Sequence, residues 1–375
     1  MRIGIDYTAA VCQTAGIGRY TRLLIQTLAT WDREGDYVLF SAGRQPEGAA
    51  WPSNFRLREL PFSDRHMAII WQRLRLPLPI EWLTGRLDLF HSPDFVLPPV
   101  RRAQTLLTVH DLSFMRYPEC SSPPLLEYLM EAVPRSVARA DRILADSECT
   151  RQDLIELLDV PAERIDVVYA GVEDRFRPQT AEAVSAAKAR YGIERPYVLG
   201  LGTLQPRKNF ARLIEAYALA RDRAGIPHAL VIGGGVGWLS RGIHETIDRL
   251  GLHEDVRLIG FVDDQDLPSL YTGADLFAFP SLYEGFGIPV LEAMGCETPV
   301  VTSRASSLPE VAGEAALLID PLDVEELADA LVRGLGASGL RDRMVTAGRR
   351  QVGRFTWRAA AQSLHAIYCA MGGGA

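Results

Sequence analysis

Paired cysteines are missing from this chain. The five thiols, Cys12, Cys120, Cys149, Cys296 and Cys369, lie far apart and form no C-x-x-C pair. An odd, scattered set argues against a disulfide framework or a zinc ribbon and for free thiols in a reducing compartment. Long apolar runs are missing too. None reaches the ~18 residues of a membrane-spanning helix. There is no basic surplus: 40 Lys and Arg stand against 47 Asp and Glu, a net charge of -7. General nucleic-acid binding, which needs a basic footprint, is therefore disfavoured. Met1 runs straight into the alternating apolar stretch Arg2–Asp6 with no secretion-type apolar core, so the expected location is cytoplasmic. What remains is an ordinary globular composition, 47% apolar and 23% charged, in 375 residues. That excludes disordered, collagen-like and coiled-coil chains. At roughly 150 residues per domain the length predicts two domains.

Short Val-, Ile- and Leu-rich runs alternate with segments of helical period. Strands are expected in the first half at Arg2–Asp6, Tyr37–Ala42, Phe55–Leu60, Leu87–Ser92, Thr105–Asp111, Arg142–Ser147 and Ile165–Ala170. In the second half they are expected at Tyr197–Gly202, Ala229–Gly233, Val256–Phe261, Leu276–Pro280, Pro299–Ser303 and Ala316–Asp320. Near-continuous apolar strands alternating with helices predict an α/β fold: two doubly wound parallel sheets covered on both faces. The alternation breaks at Gly171–Pro178, which turns polar and ends in proline. The expected domains are residues 1–172 and 173–355, with residues 356–375 forming a last helix. Ligands of such sheets bind at the carboxyl ends of strands and often between domains, so chemistry is sought just after strands.

Five post-strand segments stand out. Thr14–Tyr20 holds Gly16 and Gly18 at a helix start, where small residues let backbone N–H groups approach an anion. It lacks the third glycine of the dinucleotide fingerprint, and Ser41–Arg44 supplies no ribose-binding acid, so a NAD site is disfavoured. A plain tight turn is the alternative. His110-Asp111 ends a strand, and a histidine there can donate to or accept from a substrate; a structural histidine is the alternative. Gly202–Asn209 sets Arg207 and Lys208 beside a helix start, where a bidentate fork, a point charge and the helix dipole would together hold phosphate. Gly233–Gly237 lets backbone approach a ligand or another backbone, and without Lys-Ser/Thr it is not a Walker loop. The sharpest segment is Pro280–Met294. Glu284 lies in a loop, glycines follow, Pro289 opens a helix, and Glu292 sits eight residues after Glu284. Two carboxylates can accept sugar and ribose hydroxyls, and N–H groups near Gly287 and Ile288 remain for further polar atoms. Capping and solvent exposure are the alternative.

Glu284 through Glu292 resembles the E-x7-E motif of retaining GT-B glycosyltransferases, and the chain as a whole resembles glycosyltransferase family 4. The likeness runs from Ile3 to about Trp357 and includes Val168–Val172 between domains, with Ala170 where Asn is usual, Gly260-Phe261-Val262, and Leu308–Val311. The resemblance implies a GT-B fold, two Rossmann-like domains facing across a cleft, an acceptor-side domain first and a nucleotide-sugar domain second. The last helix would cross back to the first domain. It implies that Arg207 and Lys208 neutralise a donor diphosphate and Glu292 binds ribose. Glu284, with the backbone at Phe286, Gly287 and Ile288, would bind the transferred sugar. Gly16 and Gly18 would give the donor room, His110 would contact the sugar near the reacting centre, and Val262 would flank the base. Thr203 stands where some members carry Arg, which puts more weight on Arg207 and Lys208.

The implied activity is retaining transfer of a hexose from a nucleotide-diphosphate sugar to a hydroxyl of a glycan or lipid-linked acceptor, in cell-surface polysaccharide or glycoconjugate synthesis. Mannose from GDP-mannose is the first choice and a UDP-sugar the second. No cofactor or metal is expected. Asp264-Gln265-Asp266 matches a D-x-D pattern, but capping by Asp263 or Asp264 accounts for it. Arg65–Leu76, basic and apolar with Trp71, is a possible contact with an anionic membrane or an ordinary amphipathic helix. The rival readings are an epimerase or phosphorylase on the same architecture, and a non-enzymatic two-domain sugar-binding protein.

Overall fold

The computed structural model of the chain describes residues 1–13, 16–43, 50–60, 63–336 and 338–373. Thr14, Ala15 and Arg44, part of the segments singled out above, lie outside the described residues. Contacts divide the chain into two compact units. One comprises residues 1–115, 124–171 and 357–375, the other residues 116–123 and 172–356.

The first unit is built on seven strands: β1 (Arg2–Asp6), β2 (Asp36–Ala42), β3 (Phe55–Leu60), β4 (Leu89–Ser92), β5 (Gln104–Val109), β6 (Arg142–Ala145) and β7 (Ile165–Val167). They pair in the order β3-β2-β1-β4-β5-β6-β7, every pair parallel. The second unit has six strands: β8 (Tyr197–Leu201), β9 (Ala229–Gly233), β10 (Val256–Gly260), β11 (Leu276–Phe279), β12 (Val300–Ser303) and β13 (Ala316–Ile319). Their order is β10-β9-β8-β11-β12-β13, again all parallel. In each sheet the order of strand addition reverses once, between β1 and β4 and between β8 and β11. A cleft opens at such a switch point because the loops on its two sides leave in opposite directions.

The strands form where the apolar runs predict them because burial on both faces rewards continuous Val, Ile, Leu and Phe. Ile3, Ile5, Leu89 and Phe90 are buried in the first sheet, and Val198, Leu199, Phe277 and Ala278 in the second. Helices cover both, as Leu24, Ile25 and Leu28 show on helix Ile17–Trp31 and Leu213, Ile214 and Tyr217 on helix Phe210–Ala224. Helix Trp357–Gly372 belongs to the first unit, where Tyr368 meets His91 at 2.7 Å and the Trp357 ring lies 5.7 Å from Tyr20.

Two local expectations change. Arg65–Leu76 is not one amphipathic helix. An α-helix covers Asp64–Ala68, a π-helical turn Ile69–Arg73, and Arg75 has a positive φ of 52°. The Trp71 indole donates to Leu78 O at 3.0 Å, which folds the segment back instead of extending it. Asp263 and Asp264 do not cap the next helix. Its N-cap is Asp266, which makes no side-chain cap bond and is held instead by Arg190 at 2.5 Å and the Tyr191 hydroxyl at 2.9 Å. The Asp263 side chain accepts from Gln265 N at 3.0 Å in a local turn.

Candidate active site

In the second unit the loops after β8 and β11, the two strands flanking the switch point, are stitched together. Leu282 N donates to Arg207 O at 2.8 Å, and Arg207 Nη1 donates to Tyr283 O at 2.6 Å. Asn209, buried and left-handed at φ 61°, donates from Nδ2 to Pro280 O at 3.0 Å and to Pro321 O at 2.6 Å. Asparagine tolerates that backbone region, and its amide satisfies two loop carbonyls with one group.

This framework brings Arg207, Lys208 and Glu284 together. Lys208 Nζ donates to Glu284 Oε1 at 2.6 Å and Arg207 Nη1 to Oε2 at 3.0 Å. The Lys208 ammonium also lies 4.7 Å from the centre of the Phe279 ring. Glu284 is 7% exposed. Burial alone would raise its pKa, yet the two cations hold the carboxyl down at about 2. The cluster of two cations and one carboxylate retains one positive charge in a largely desolvated site, where an anion is attracted far more strongly than in water. Gly202 makes room for it: at φ 148°, its missing Cβ would fall 3.1 Å from Lys208 Cε.

Within Gly233–Gly237, Gly234 and Gly237 approach backbone, whereas Gly235 faces open space. Gly202 N donates to Gly233 O and Leu204 N to Gly235 O, each at 2.9 Å, and a Cβ on Gly234 would overlap the Gly202 carbonyl.

Loop Ser281–Gly287 is also held from the β12 side. Glu284 N donates to Ser306 Oγ at 2.9 Å, while Ser307 Oγ donates to Glu284 O at 2.9 Å and to Phe286 O at 2.7 Å. Phe286 itself is buried against Phe355, ring centres 5.5 Å apart. Gly287 starts helix Ile288–Gly295 at φ 115°, and the N–H groups of Gly287 and Ile288 precede the first intrahelical bonds. Glu292 on that helix is 3% exposed and accepts from the Tyr271 hydroxyl at 2.9 Å. Val262 is turned inward at 6% exposure beneath Gly233, whereas Phe261 beside it is 69% exposed. Of the two side chains, Phe261 is the one that offers a ring face to a base.

The short segment Arg116–Pro123 belongs with this unit. Trp238 Nε1 donates to Cys120 O at 2.6 Å, and the Tyr117 ring lies 6.1 Å from that of Tyr283.

In the first unit His110 follows β5. Its Nδ1 meets Asp146 Oδ2 at 2.7 Å and its Nε2 meets Pro93 O at 3.0 Å. Both partners are acceptors, so the ring donates at both nitrogens as an imidazolium. Burial disfavours that charge, but Asp146, with help from Asp94, lifts the pKa to about 9. With both nitrogens engaged by protein, the ring here offers its charge rather than a free nitrogen to any ligand. Tyr20 packs edge-on at 4.9 Å and Phe95 at 5.5 Å. Gly16 and Gly18 separate in role. Gly16 caps helix Ile17–Trp31 at φ 57° with open space where its Cβ would be. A Cβ on Gly18 would collide with the Ala9 and Gln13 carbonyls, so the glycine lets these backbones pack closely.

Sequence reasoning missed Asp146, Ser306 and Ser307 and assigned Asn209 no role. These residues act on loop backbone or on another side chain, and no local spacing ties them to their partners.

Among the described residues no group of three His, Cys, Asp or Glu side chains is arranged to hold a metal, and no helix is long and apolar enough to cross a membrane.

A chain of two parallel-sheet units with this loop constellation has the GT-B glycosyltransferase fold. Sucrose-phosphate synthase from Thermosynechococcus elongatus superposes with a TM-score of 0.79 at 21% identity over 100% of both chains. The Anabaena protein Alr3699/HepE, solved with UDP and glucose, gives 0.74 at 20% identity over 98% of this chain and 99% of that one. Residues 14–176 match the family described as Glycosyltransferase Family 4, and residues 185–351 the family described as Glycosyl transferases group 1. The O-antigen chain mannosyltransferase B of Escherichia coli is 32% identical over 354 residues, 91% of this chain and 92% of that protein. A D-inositol 3-phosphate glycosyltransferase of Salinispora arenicola is 33% identical over 302 residues, covering 76% of this chain and 66% of its own. The chain belongs to glycosyltransferase family 4.

Proposed function

We propose that this glycosyltransferase moves mannose from a nucleotide-diphosphate sugar, GDP-mannose first, to a hydroxyl of a growing cell-surface glycan with retention at the anomeric carbon. The observation that carries it is the convergence of Arg207, Lys208 and Glu284 at the β8/β11 switch point. The relationship to an O-antigen mannosyltransferase along almost the whole chain supports the choice of sugar and acceptor.

The chemistry follows from charge. Breaking the sugar–phosphate bond leaves a diphosphate that gains negative charge and an anomeric carbon that turns oxocarbenium-like. Arg207 and Lys208 meet the first need by binding the leaving oxygens, the kind of preorganised electrostatics that supplies most of such a rate enhancement. Glu284, held ionised, accepts hydroxyls of the transferred sugar, and the N–H groups at Gly287 and Ile288 complete the hold on it. Glu292 takes the ribose, and Phe261, rather than Val262, flanks the base. Retention follows if the acceptor oxygen attacks on the face the diphosphate leaves, with the leaving oxygen taking the acceptor proton. Arg207 and Lys208 stand where a metal would otherwise serve, the one net positive charge of their cluster with Glu284 offsetting part of the diphosphate's. A lipid-linked acceptor fits the exposed Leu74, Leu76, Leu78 and Trp82 beside Arg73 and Arg75, a surface suited to an anionic membrane; sedimentation with anionic vesicles tests it, and loss of binding in Trp82→Ala is the expected result.

The test of the main reading is a thermal-shift and calorimetric comparison of GDP, UDP, ADP and their sugar conjugates, with and without Mg²⁺. A ligand bound only by the folded state at 100 times its Kd adds ~2.7 kcal/mol. Selective stabilisation by GDP-mannose, independent of Mg²⁺, is the expected outcome. Stabilisation by no nucleotide at all would sink the reading.

A further inference from the structure

A cavity of about 320 Å³ lies wholly within the first unit, lined by residues from both sides of that sheet's switch point. Asp6 ends β1, and Asp94 follows β4 by two residues. Both carboxylates line the cavity, and each commits one oxygen to its own loop: Asp6 Oδ1 accepts from Thr8 N at 2.9 Å and Asp94 Oδ1 from Phe95 N at 2.7 Å. An ionised carboxylate has about four acceptor positions, so each keeps capacity for hydroxyl donors. Trp71 and Tyr128 add aromatic surface to the wall, and Asp64 and Arg65 add charge to it. Neighbouring carboxylates and a ring are the groups that bind a pyranose: hydrogen bonds to adjacent hydroxyls and apolar contact with its C–H face. The volume sits at the small end of the range for ligand pockets, enough for a terminal sugar ring.

The charge of the wall goes further than its shape. Among the described lining residues three carboxylates face one guanidinium. Arg65 is exposed, while Asp6 and Asp94 are half-buried and reinforce each other's field, and burial raises the pKa of both, Asp6 to about 6. The His110 cation lies near Asp94 and offsets part of it but is committed to Asp146. A phosphate monoester brought into this cavity meets like charge in a partly desolvated place, and such juxtaposition is unfavourable.

We infer that this cavity is the seat of the acceptor's terminal sugar and that Asp6 and Asp94 determine its specificity, admitting an uncharged sugar and rejecting a phosphorylated one. The inference rests on the transferase reading for the word acceptor, but its binding selectivity stands on the cavity alone.

The experiment compares methyl α-mannoside with its 6-phosphate on the full chain at pH 7.5, by saturation-transfer NMR and by inhibition of transfer. The neutral glycoside is expected to bind at least ~100-fold more tightly than the phosphate. In Asp94→Asn, and in Asp6→Asn where it folds, that ratio is expected to shrink ~10-fold or more, since the amide keeps an acceptor and loses the charge. A structural role alone would weaken both ligands together and leave the ratio intact. Equal or tighter binding of the phosphate by the unaltered chain, no binding of either glycoside, or an unchanged ratio in the variants overturns the inference. A nucleotide-induced thermal shift is recorded on the same samples. Its absence from the unaltered chain counts against the transferase reading, and its persistence while the sugar ratio fails isolates the fault to the cavity.

Discussion

At the switch point of the second sheet two cations, Arg207 and Lys208, close on one carboxylate, Glu284. Near the switch point of the first sheet the arrangement is inverted: Asp146 and Asp94 flank the single His110 cation, and Asp6 lies beside Asp94. The strand topology around the two places is the same, order reversal included. What differs is the handful of side chains set after the strands, and they decide whether the site holds net positive or net negative charge. A doubly wound sheet supplies positions; the residues placed there choose the ligand's sign.

The comparison is best broken at its strongest pair. Lys208→Ala and Glu284→Ala are each expected to lower kcat/KM by at least ~100-fold, the scale of one lost transition-state contact. Near-normal turnover in both would remove Arg207, Lys208 and Glu284 from the chemistry. Glu284→Gln is expected to destabilise the free chain by ~1–3 kcal/mol, because it removes the charge that two partly buried cations donate to. Chemical denaturation measures this, and a bound nucleoside diphosphate should restore more stability to the variant than to the unaltered chain.

A smaller effect is expected at the loop junction. Asn209→Ala leaves the Pro280 and Pro321 carbonyls without a donor and should cost ~1–3 kcal/mol. Should the unfolding midpoint stay where it is, the amide is not what ties the β8 and β11 loops.

The histidines sharpen the contrast by pH. His110, lifted from the usual 6.5 to about 9, contributes stability that is complete below 6.5 and lost as pH rises through 9. His91, buried between Tyr368 and Thr108, is lowered to about 3 and stays neutral. Its contribution is complete above 6.5 and is lost as pH falls toward 3. Asp146→Asn should bring the His110 titration, followed by NMR, well below 9 and abolish the alkaline loss, leaving the acid one.

The smallest contrast is between two glycines: Gly18→Ala should destabilise by collision with the Ala9 and Gln13 carbonyls, while Gly16→Ala, with open space for its Cβ, should cost ~1–3 kcal/mol through a φ 57°, ψ -124° backbone that L-residues rarely adopt.

The strands were legible because apolar runs long enough to be buried on both faces leave little else to form. Arg207, Lys208 and Glu284 stood out because each lies within a few residues of a strand end, and Glu292 because it follows Glu284 at fixed spacing on the next helix. Which of Phe261 and Val262 faces outward was not legible in Gly260-Phe261-Val262, because the packing after β10 decides it: Val262 is buried and Phe261 exposed.

Sequence by itself determined the alternation of strand and helix, the family likeness, the turns that need glycine and the carboxylates and cations available after each strand. Tertiary structure alone decided which of them meet. Glu284 and Lys208 are 76 positions apart and His110 and Asp146 are 36 apart. The pairing of parallel strands, with a helix between each, sets those encounters. Burial then fixes the charges, because only in a desolvated place do two cations hold a carboxyl near 2 and one carboxylate hold an imidazole near 9.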